Sequence, residues 1–162
     1  VSLLGGGQER HLRSGTENTP GIVGFGKAAE LAMENFTQRT ETMRACREFL
    51  LNACKDEIPD IRVTSPEDET ACPSVLNISF LGTRGEVLLH LWEREGICIS
   101  TGSACSAKKR TFRIHESIGV RPELAECAVR FSFCPDNTPE EIDYTIERTK
   151  AALQKFQGFI RR

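Results

Sequence analysis

The chain lacks the features that mark several classes of protein. No stretch approaches the apolar length that a membrane span requires. An excess of charge of one sign is also missing, because 21 basic residues are mixed with 23 acidic ones and the formal net charge is -2. Such a balance gives no electrostatic argument for nucleic acid as a direct partner. We therefore expect neither a membrane protein nor a protein that binds nucleic acid.

Metal-binding spacing is missing as well. The three histidines stand far apart, and no pair of cysteines has the short spacing of a zinc knuckle. The seven cysteines are an odd number at irregular intervals: Cys46, Cys54, Cys72, Cys98, Cys105, Cys127 and Cys134. This pattern predicts reduced thiols in a cytoplasmic protein and neither a metal site nor a disulfide framework.

The N-terminus has no initiating Met and no charged-then-apolar leader. The chain begins at Val1, and the sequence there reads as the interior of a longer protein. Its 162 residues suffice for one domain with a real core.

The first regular structure predicted by the sequence is helical. Residues 5–16 are rich in glycine and polar groups and indicate an irregular loop. After Asn18, apolar residues recur every three or four positions, which predicts a helix with a Thr19 cap and a proline in its first turn. One long helix, or two joined near Asn35, is expected to run to about Lys55.

Short strands and helices are expected in the rest of the chain. Alternation predicts strands at 61–64, 75–80, 97–99 and 129–133, and helical spacing predicts helices at 86–92, 112–118 and 123–127. Thr138 and Glu141 have the spacing of a capping box and predict a final amphipathic helix. The order indicates an α+β fold, an α/β sandwich with a helical layer on a small, mostly antiparallel sheet.

One cysteine lies in surroundings that differ from those of a packed thiol. Cys105 stands in the run Ser-Thr-Gly-Ser-Ala-Cys-Ser of residues 100–106, with basic residues at 108–110. Small and hydroxylated residues build surface loops rather than cores. Nearby Lys and Arg favour the thiolate, the nucleophilic form. Cys105 is therefore a candidate nucleophile in a loop, residues 101–110, that we expect to be mobile; an incidental thiol in a polar loop is the alternative.

Four motifs together carry a resemblance to a known family. In chain order they are Gly-Gly-Gly-Gln-Glu with Leu-Arg-Ser-Gly-Thr at 5–16, Ser-Ala-Cys-Ser at 103–106, Val-Arg-Phe-Ser at 129–132, and Glu-Glu-Ile-Asp-Tyr at 140–144. This order resembles the C-terminal part of the cysteine desulfurases. That family belongs to the class V aminotransferase group of fold-type I pyridoxal-phosphate enzymes. The likeness covers nearly the whole chain.

The resemblance implies a reaction and roles for three residues. Cysteine desulfurases convert L-cysteine to L-alanine and leave a persulfide on an enzyme cysteine. By motif position, Cys105 would be that nucleophile and Arg130 would bind the substrate carboxylate. Thr16 would donate its hydroxyl to the phosphate of pyridoxal 5'-phosphate, across a homodimer interface. The implied sulfur acceptor is an iron–sulfur scaffold, in iron-sulfur cluster assembly, or a tRNA-thiolation protein.

Simpler roles compete with these. Arg130 could form a surface ion pair, and Thr16 could be an ordinary loop or helix-entry hydroxyl. His115 is expected to be a partly buried structural residue, and His90 to lie on an apolar helix face. The other six cysteines are expected to pack as small apolar residues.

The cofactor lysine of the family has no match in this sequence. In the family it lies shortly before the first motif, usually after a histidine, and no lysine here has that context. We expect residues 1–36 to be a remnant of the large cofactor-binding domain with the start of a linking helix, and 37–162 to be the C-terminal small domain. Such a fragment would not turn over cysteine alone. A cofactor-free persulfide carrier, a selenocysteine lyase fragment and a structural or dimerisation domain remain alternatives.

Overall fold

The computed structural model describes residues 4–102 and 113–160, and the chain divides into two compact units with the boundary between Thr37 and Gln38. None of the helices in these residues is long and apolar enough to cross a membrane.

The first unit contains a polar loop followed by a helix. A short 3-10 helix spans Glu9–His11, and α1 spans Thr19–Glu34. The residue that caps α1 is Asn18, whose side chain accepts a hydrogen bond from the backbone N–H of Gly21 at 3.2 Å. The prediction of a Thr19 cap was therefore wrong by one residue. Helix α1 buries none of its residues.

The helical region consists of two helices, as the second of the two sequence alternatives had it. Helix α2 spans Phe36–Glu57 and follows Asn35, whose φ of -125° and ψ of 25° interrupt the helical geometry. The helix ends shortly before Pro59, which cannot continue it.

The second unit is built on a sheet of three antiparallel strands in the order β1-β2-β3. The strands are β1 at Ile61–Val63, β2 at Val75–Phe80 and β3 at Ala128–Ser132. The helices are α3 at Gly85–Arg94, α4 at Arg113–Ser117, α5 at Pro122–Glu126 and α6 at Pro139–Ile160. This architecture confirms the α+β fold class.

One face of the sheet carries the hydrophobic core. Alternation sends Leu76, Ile78 and Phe80 of β2 to this face, together with Val129 and Phe131 of β3, and all five are buried. Trp92 of α3 lies against this layer, with ring centroids 5.9 Å from Phe80 and 5.7 Å from Phe131. Helices α2 and α6 contribute further apolar side chains to the same cluster: Leu50, Leu51, Cys54, Ile142, Ile146 and Ala152.

The capping box predicted for α6 is present. The backbone N–H of Thr138 donates to the Glu141 carboxylate at 3.2 Å, and the backbone N–H of Glu141 donates to the Thr138 hydroxyl at 3.4 Å. These bonds satisfy two donors that a helix start otherwise leaves open. They fix the beginning of the helix that covers the core.

The strand predicted at 97–99 is not formed. Only Ser100, next along the chain, bonds to the outer edge of β3, as an isolated bridge with Arg130. A groove of about 530 Å³ is lined both by residues 97–99 and by Phe131, Ser132 and Phe133. Ile97 and Ile99 pack against the core without a ladder, and Cys98 is exposed, so the hydrophobicity of the segment did not determine whether it would pair as a strand.

Candidate functional site

The second face of the sheet is polar and lies beneath α4 and α5. Alternation sends Asn77 and Ser79 of β2 to this face, and it sends Arg130 of β3 to the same side. The hydroxyl of Ser79 donates to the backbone carbonyl of Leu124 in α5 at 2.8 Å. The side chain of His115 in α4 contacts Asn77. A polar layer therefore lies opposite the core, with Ser79 and His115 buried and with Asn77 and Arg130 half-buried.

The backbone of Arg130 is hydrogen-bonded, whereas its side-chain Nε has no hydrogen-bond partner. Its backbone N–H donates to the carbonyl of Ser100 at 2.6 Å, and its carbonyl accepts from the N–H of Ser100 at 3.1 Å. The side-chain Nε is buried and has no hydrogen-bond partner. No ion pair between residues of the described ranges involves Arg130. The surface ion pair considered from sequence is thus not seen in this part of the chain.

An open guanidinium in such a place favours a planar anion as its partner. A buried donor without a partner costs free energy, and an arginine presents parallel N–H groups that match the two oxygens of a carboxylate. The charge is permanent, because arginine does not lose its proton in proteins. The site around Arg130 can therefore bind and orient a carboxylate.

Asn77 lies next to Arg130 and is itself held by several bonds. The two residues are register partners in the β2–β3 ladder. The Asn77 side-chain oxygen accepts from the hydroxyl of Thr64, and it lies 3.3 Å from Nε2 of His115. Burial lowers the pKa of His115 below its ordinary value, so the ring is neutral at neutral pH. Because an amide oxygen can only accept, the contact requires the tautomer with its proton on Nε2, which donates to Asn77.

The described residues on both sides of segment 103–112 contact Arg130 or Asn77. Ser100, bonded to Arg130, lies just before the segment 103–112, and α4 with His115 lies just after it. Cys105 and the basic residues that follow it are outside the described residues, as is most of the loop predicted to be mobile.

Thr16 lies in a polar loop of the first unit. The Arg13 guanidinium donates to the carbonyl of Gly15 at 2.6 Å and to that of Thr16 at 3.2 Å. The backbone N–H of Gly15, whose φ is +105°, donates to the Gln8 side chain at 3.1 Å. Thr16 itself is exposed. The loop is therefore fixed by its own hydrogen bonds, and Thr16 is accessible to an anion from solvent.

The lysines with described side chains are already paired. Lys27 bonds to Glu30 at 2.9 Å, and Lys55 bonds to Glu67. Lys150 lies 2.6 Å from Glu57 and 2.8 Å from Glu147. The two carboxylates beside Lys150 raise the pKa of its amine, which keeps that amine protonated and therefore not nucleophilic.

The remaining cysteines and histidines only partly follow the predictions. Cys46 and Cys54 are buried, and burial raises the pKa of the Cys54 thiol to about 12. Three cysteines are exposed, so the prediction that all six pack as apolar residues was wrong: Cys72, Cys98 and Cys134. His115, which was predicted to be partly buried, is buried.

The prediction for His90 was wrong. Its side chain is 71% exposed and lies 3.5 Å from Glu93 on the outer face of α3.

Sequence reasoning did not identify Asn77 as part of the site. Its signal was present in the alternation of polar Asn77 and Ser79 with apolar neighbours, which marks a polar sheet face. The partnership with Arg130 depends on register, and register is set by strands 53 positions apart in sequence.

Comparison with known proteins agrees with the motifs. The profile of the aminotransferase class-V family matches residues 5–145. The chain is 44% identical over 147 residues to cysteine desulfurase IscS of Clostridium botulinum, covering 90% of this chain and 37% of that protein. It is 38% identical over 156 residues to a cysteine desulfurase of Sinorhizobium fredii, covering 96% and 40%.

Two solved structures have the same fold. A NifS-like protein superposes with a TM-score of 0.78 at 34% identity, covering 94% of this chain and 38% of that one. The NifS-like protein of Rickettsia africae superposes with a TM-score of 0.79 at 28% identity, covering 94% and 39%. The chain therefore spans about two fifths of the length of the relatives it matches.

Proposed function

The chain belongs to the class V aminotransferase family, and from this premise we propose that it forms the C-terminal part of a pyridoxal-phosphate-dependent cysteine desulfurase. In this proposal Arg130 binds the carboxylate of L-cysteine, and Cys105 receives the sulfur. The overall change is balanced: L-cysteine and the Cys105 thiol give L-alanine and a Cys105 persulfide.

The observation that carries the proposal is the open guanidinium of Arg130. Its Nε is buried without a partner, and its backbone is fixed by two bonds to Ser100. A substrate carboxylate would give this donor the partner it lacks. Binding at two points would also fix the orientation of the amino acid, which is the usual contribution of an arginine clamp.

The described residues fit the cofactor at its phosphate end. The exposed hydroxyl of Thr16 and the preformed loop around Gly15 suit a phosphate. The lysines with described side chains are paired with glutamates and do not fit the aldehyde end. When bound, pyridoxal phosphate supplies an electron sink for carbanion chemistry. We propose that the lysine and the ring-binding residues lie in a domain that precedes residue 1 in the complete protein.

The domain division supports the same reading. We propose that residues 1–36 belong to the large domain and the start of the linking helix, and that 37–162 form the small domain. The compact unit that begins at Gln38 contains the whole sheet and the core. A homodimer is part of the proposal, because Thr16 would serve the cofactor of the partner subunit.

The sulfur acceptor and the location complete the proposal. We propose an acceptor in iron-sulfur cluster assembly or tRNA thiolation, and a cytoplasmic protein. The six cysteines among the described residues are all free thiols, which supports a reducing location.

The test uses the protein encoded by the complete reading frame, supplied with pyridoxal phosphate. We expect Arg130→Gln to raise KM for L-cysteine by at least about tenfold, since a charge-assisted bond of about 1.5–3 kcal/mol is lost. The matched control is Arg62→Gln, an exposed arginine of β1. Equal KM values for Arg130→Gln and the unchanged protein would contradict the proposal.

The same assay separates the alternatives. A persulfide carrier accepts sulfur from a donor without forming alanine, and a selenocysteine lyase prefers selenocysteine over cysteine. Formation of alanine by the 162-residue chain alone would overturn the argument about the lysine.

A further inference from the structure

We propose that His115 is a positioning residue that, through Asn77, fixes the substrate-binding orientation of Arg130. The proposal rests on the function proposed above, because it assigns a cause to the placement of the arginine that binds the substrate carboxylate. His115 touches neither substrate nor cofactor in this account.

The first step is the pairing of Asn77 with Arg130. Both the N–H and the carbonyl of Arg130 are used by Ser100 on its other side. In an antiparallel ladder, a residue whose backbone groups point away from a strand forms a non-hydrogen-bonded pair with that strand, and such pairs bring side chains closest. Arg130 and Asn77 form a pair of this kind, on the same face. The amide of Asn77 therefore limits the positions open to the stem of Arg130.

The second step is the immobilisation of Asn77. Its backbone carbonyl accepts from the N–H of Thr64 at 3.0 Å, and its N–H donates to the Ser65 hydroxyl at 2.8 Å. The Thr64 hydroxyl and His115 Nε2 both reach its side-chain oxygen. Thr64 comes from the end of β1 and His115 from α4, so the oxygen is held from two elements. Loss of either bond leaves the amide freer to rotate.

The third step concerns the choice of a histidine. The residue is 8% exposed and burial lowers its pKa, so it donates a hydrogen bond without carrying charge. A carboxylate in its place would compete with substrate for Arg130, and a permanent cation would repel the guanidinium. A neutral ring donor fixes Asn77 while leaving the arginine open.

The experiment compares three variants in the complete protein, with L-cysteine as substrate. His115→Leu removes the donor, His115→Gln keeps an N–H near the position of Nε2, and Thr64→Val removes the other side-chain bond to the Asn77 side-chain oxygen. We expect His115→Leu and Thr64→Val to raise KM about three- to tenfold, the equivalent of one net hydrogen bond, with kcat within about twofold. We expect His115→Gln to restore KM. The matched control is His90→Leu, an exposed histidine of α3.

A second readout does not depend on activity. In the 162-residue chain, the Nε–Hε resonance of Arg130, assigned by its loss in Arg130→Gln, reports the mobility of the guanidinium. We expect His115→Leu to broaden or shift this resonance, and we expect His115→Gln and His90→Leu to leave it in place.

The outcomes distinguish this inference from the proposed function. If Arg130→Gln raises KM but His115→Leu leaves both KM and the resonance unchanged, the positioning role is wrong and the substrate site stands. If His115→Gln behaves like His115→Leu, the histidine acts only by filling space, and the inference also fails. If Arg130→Gln has no effect on KM, the proposed function itself is wrong.

Discussion

Replacing Arg130 by methionine should make the chain more stable while it removes the carboxylate site. The Nε of Arg130 is buried without a partner. A buried unsatisfied donor costs about 1–3 kcal/mol, and methionine lacks that donor while keeping a long apolar stem. We therefore expect Arg130→Met to raise the free energy of unfolding by about 1–3 kcal/mol.

The matched control is a buried arginine whose guanidinium has hydrogen-bond partners, whereas Arg130 is half-buried and only its Nε is buried without one. Arg47 is 3% exposed, and its guanidinium donates to the carbonyls of Val75 at 3.0 Å and Pro66 at 2.6 Å. Bonds from a charged donor are worth about 1.5–3 kcal/mol each, so Arg47→Met should lower the free energy of unfolding by at least about 2 kcal/mol.

Urea unfolding of the two variants measures the difference. The midpoint should rise for Arg130→Met and fall for Arg47→Met, with the slope unchanged in both. A loss of stability in Arg130→Met as large as that in Arg47→Met would refute the reasoning, because it would mean that Arg130 stabilises the fold. A residue such as Arg130, which lowers the stability of the fold, is expected where the side chain serves binding.

Three further predictions concern the fold. Burial raises the pKa of Cys54 above its value in the unfolded chain, so the unfolded state loses the thiol proton first as pH rises. The free energy of unfolding should therefore fall above about pH 9. At about pH 10.5 the loss should be about 2 kcal/mol, and Cys54→Ala should not show it. In Gly85→Ala the new Cβ would lie 2.5 Å from the carbonyl oxygen of Ala128, so we expect a loss of about 1–3 kcal/mol in thermal unfolding, whereas Gly24→Ala, with open space around it, should cause none. Thr138→Ala should cost about 1 kcal/mol through loss of the α6 cap, and an equal unfolding midpoint in that variant would contradict the capping role.

Local chemistry predicted much of the fold. Alternation found β2 and β3 to within a residue, and the Thr138–Glu141 spacing found the start of α6, because each signal lies within a few neighbouring residues. The segment 97–99 has the composition of a strand but forms no backbone hydrogen-bond ladder with β3, because such pairing depends on how closely the two segments approach. The cap of α1 shifted to Asn18 because both candidate side chains can accept the bond and only the backbone geometry decides between them.

The site was less accessible to sequence. Arg130 could be nominated only by resemblance, since an arginine on a polar strand face is more often a surface residue. Its open Nε and its pairing with Asn77 follow from the register of the sheet. The sequence also did not predict that Cys72, Cys98 and Cys134 are exposed, because a cysteine side chain is small enough to lie either in the core or at the surface.

The most direct test of the central claim is a mass measurement after a single turnover. The protein of the complete reading frame, with pyridoxal phosphate and limiting L-cysteine, is digested and each cysteine peptide is weighed. We predict one added sulfur atom on the peptide that contains Cys105, an equal amount of L-alanine, and at least about tenfold less of both products in Arg130→Gln when the two reactions are stopped at the same early time and the same low cysteine concentration. Sulfur on a different cysteine, or an unchanged yield in Arg130→Gln, would contradict the account.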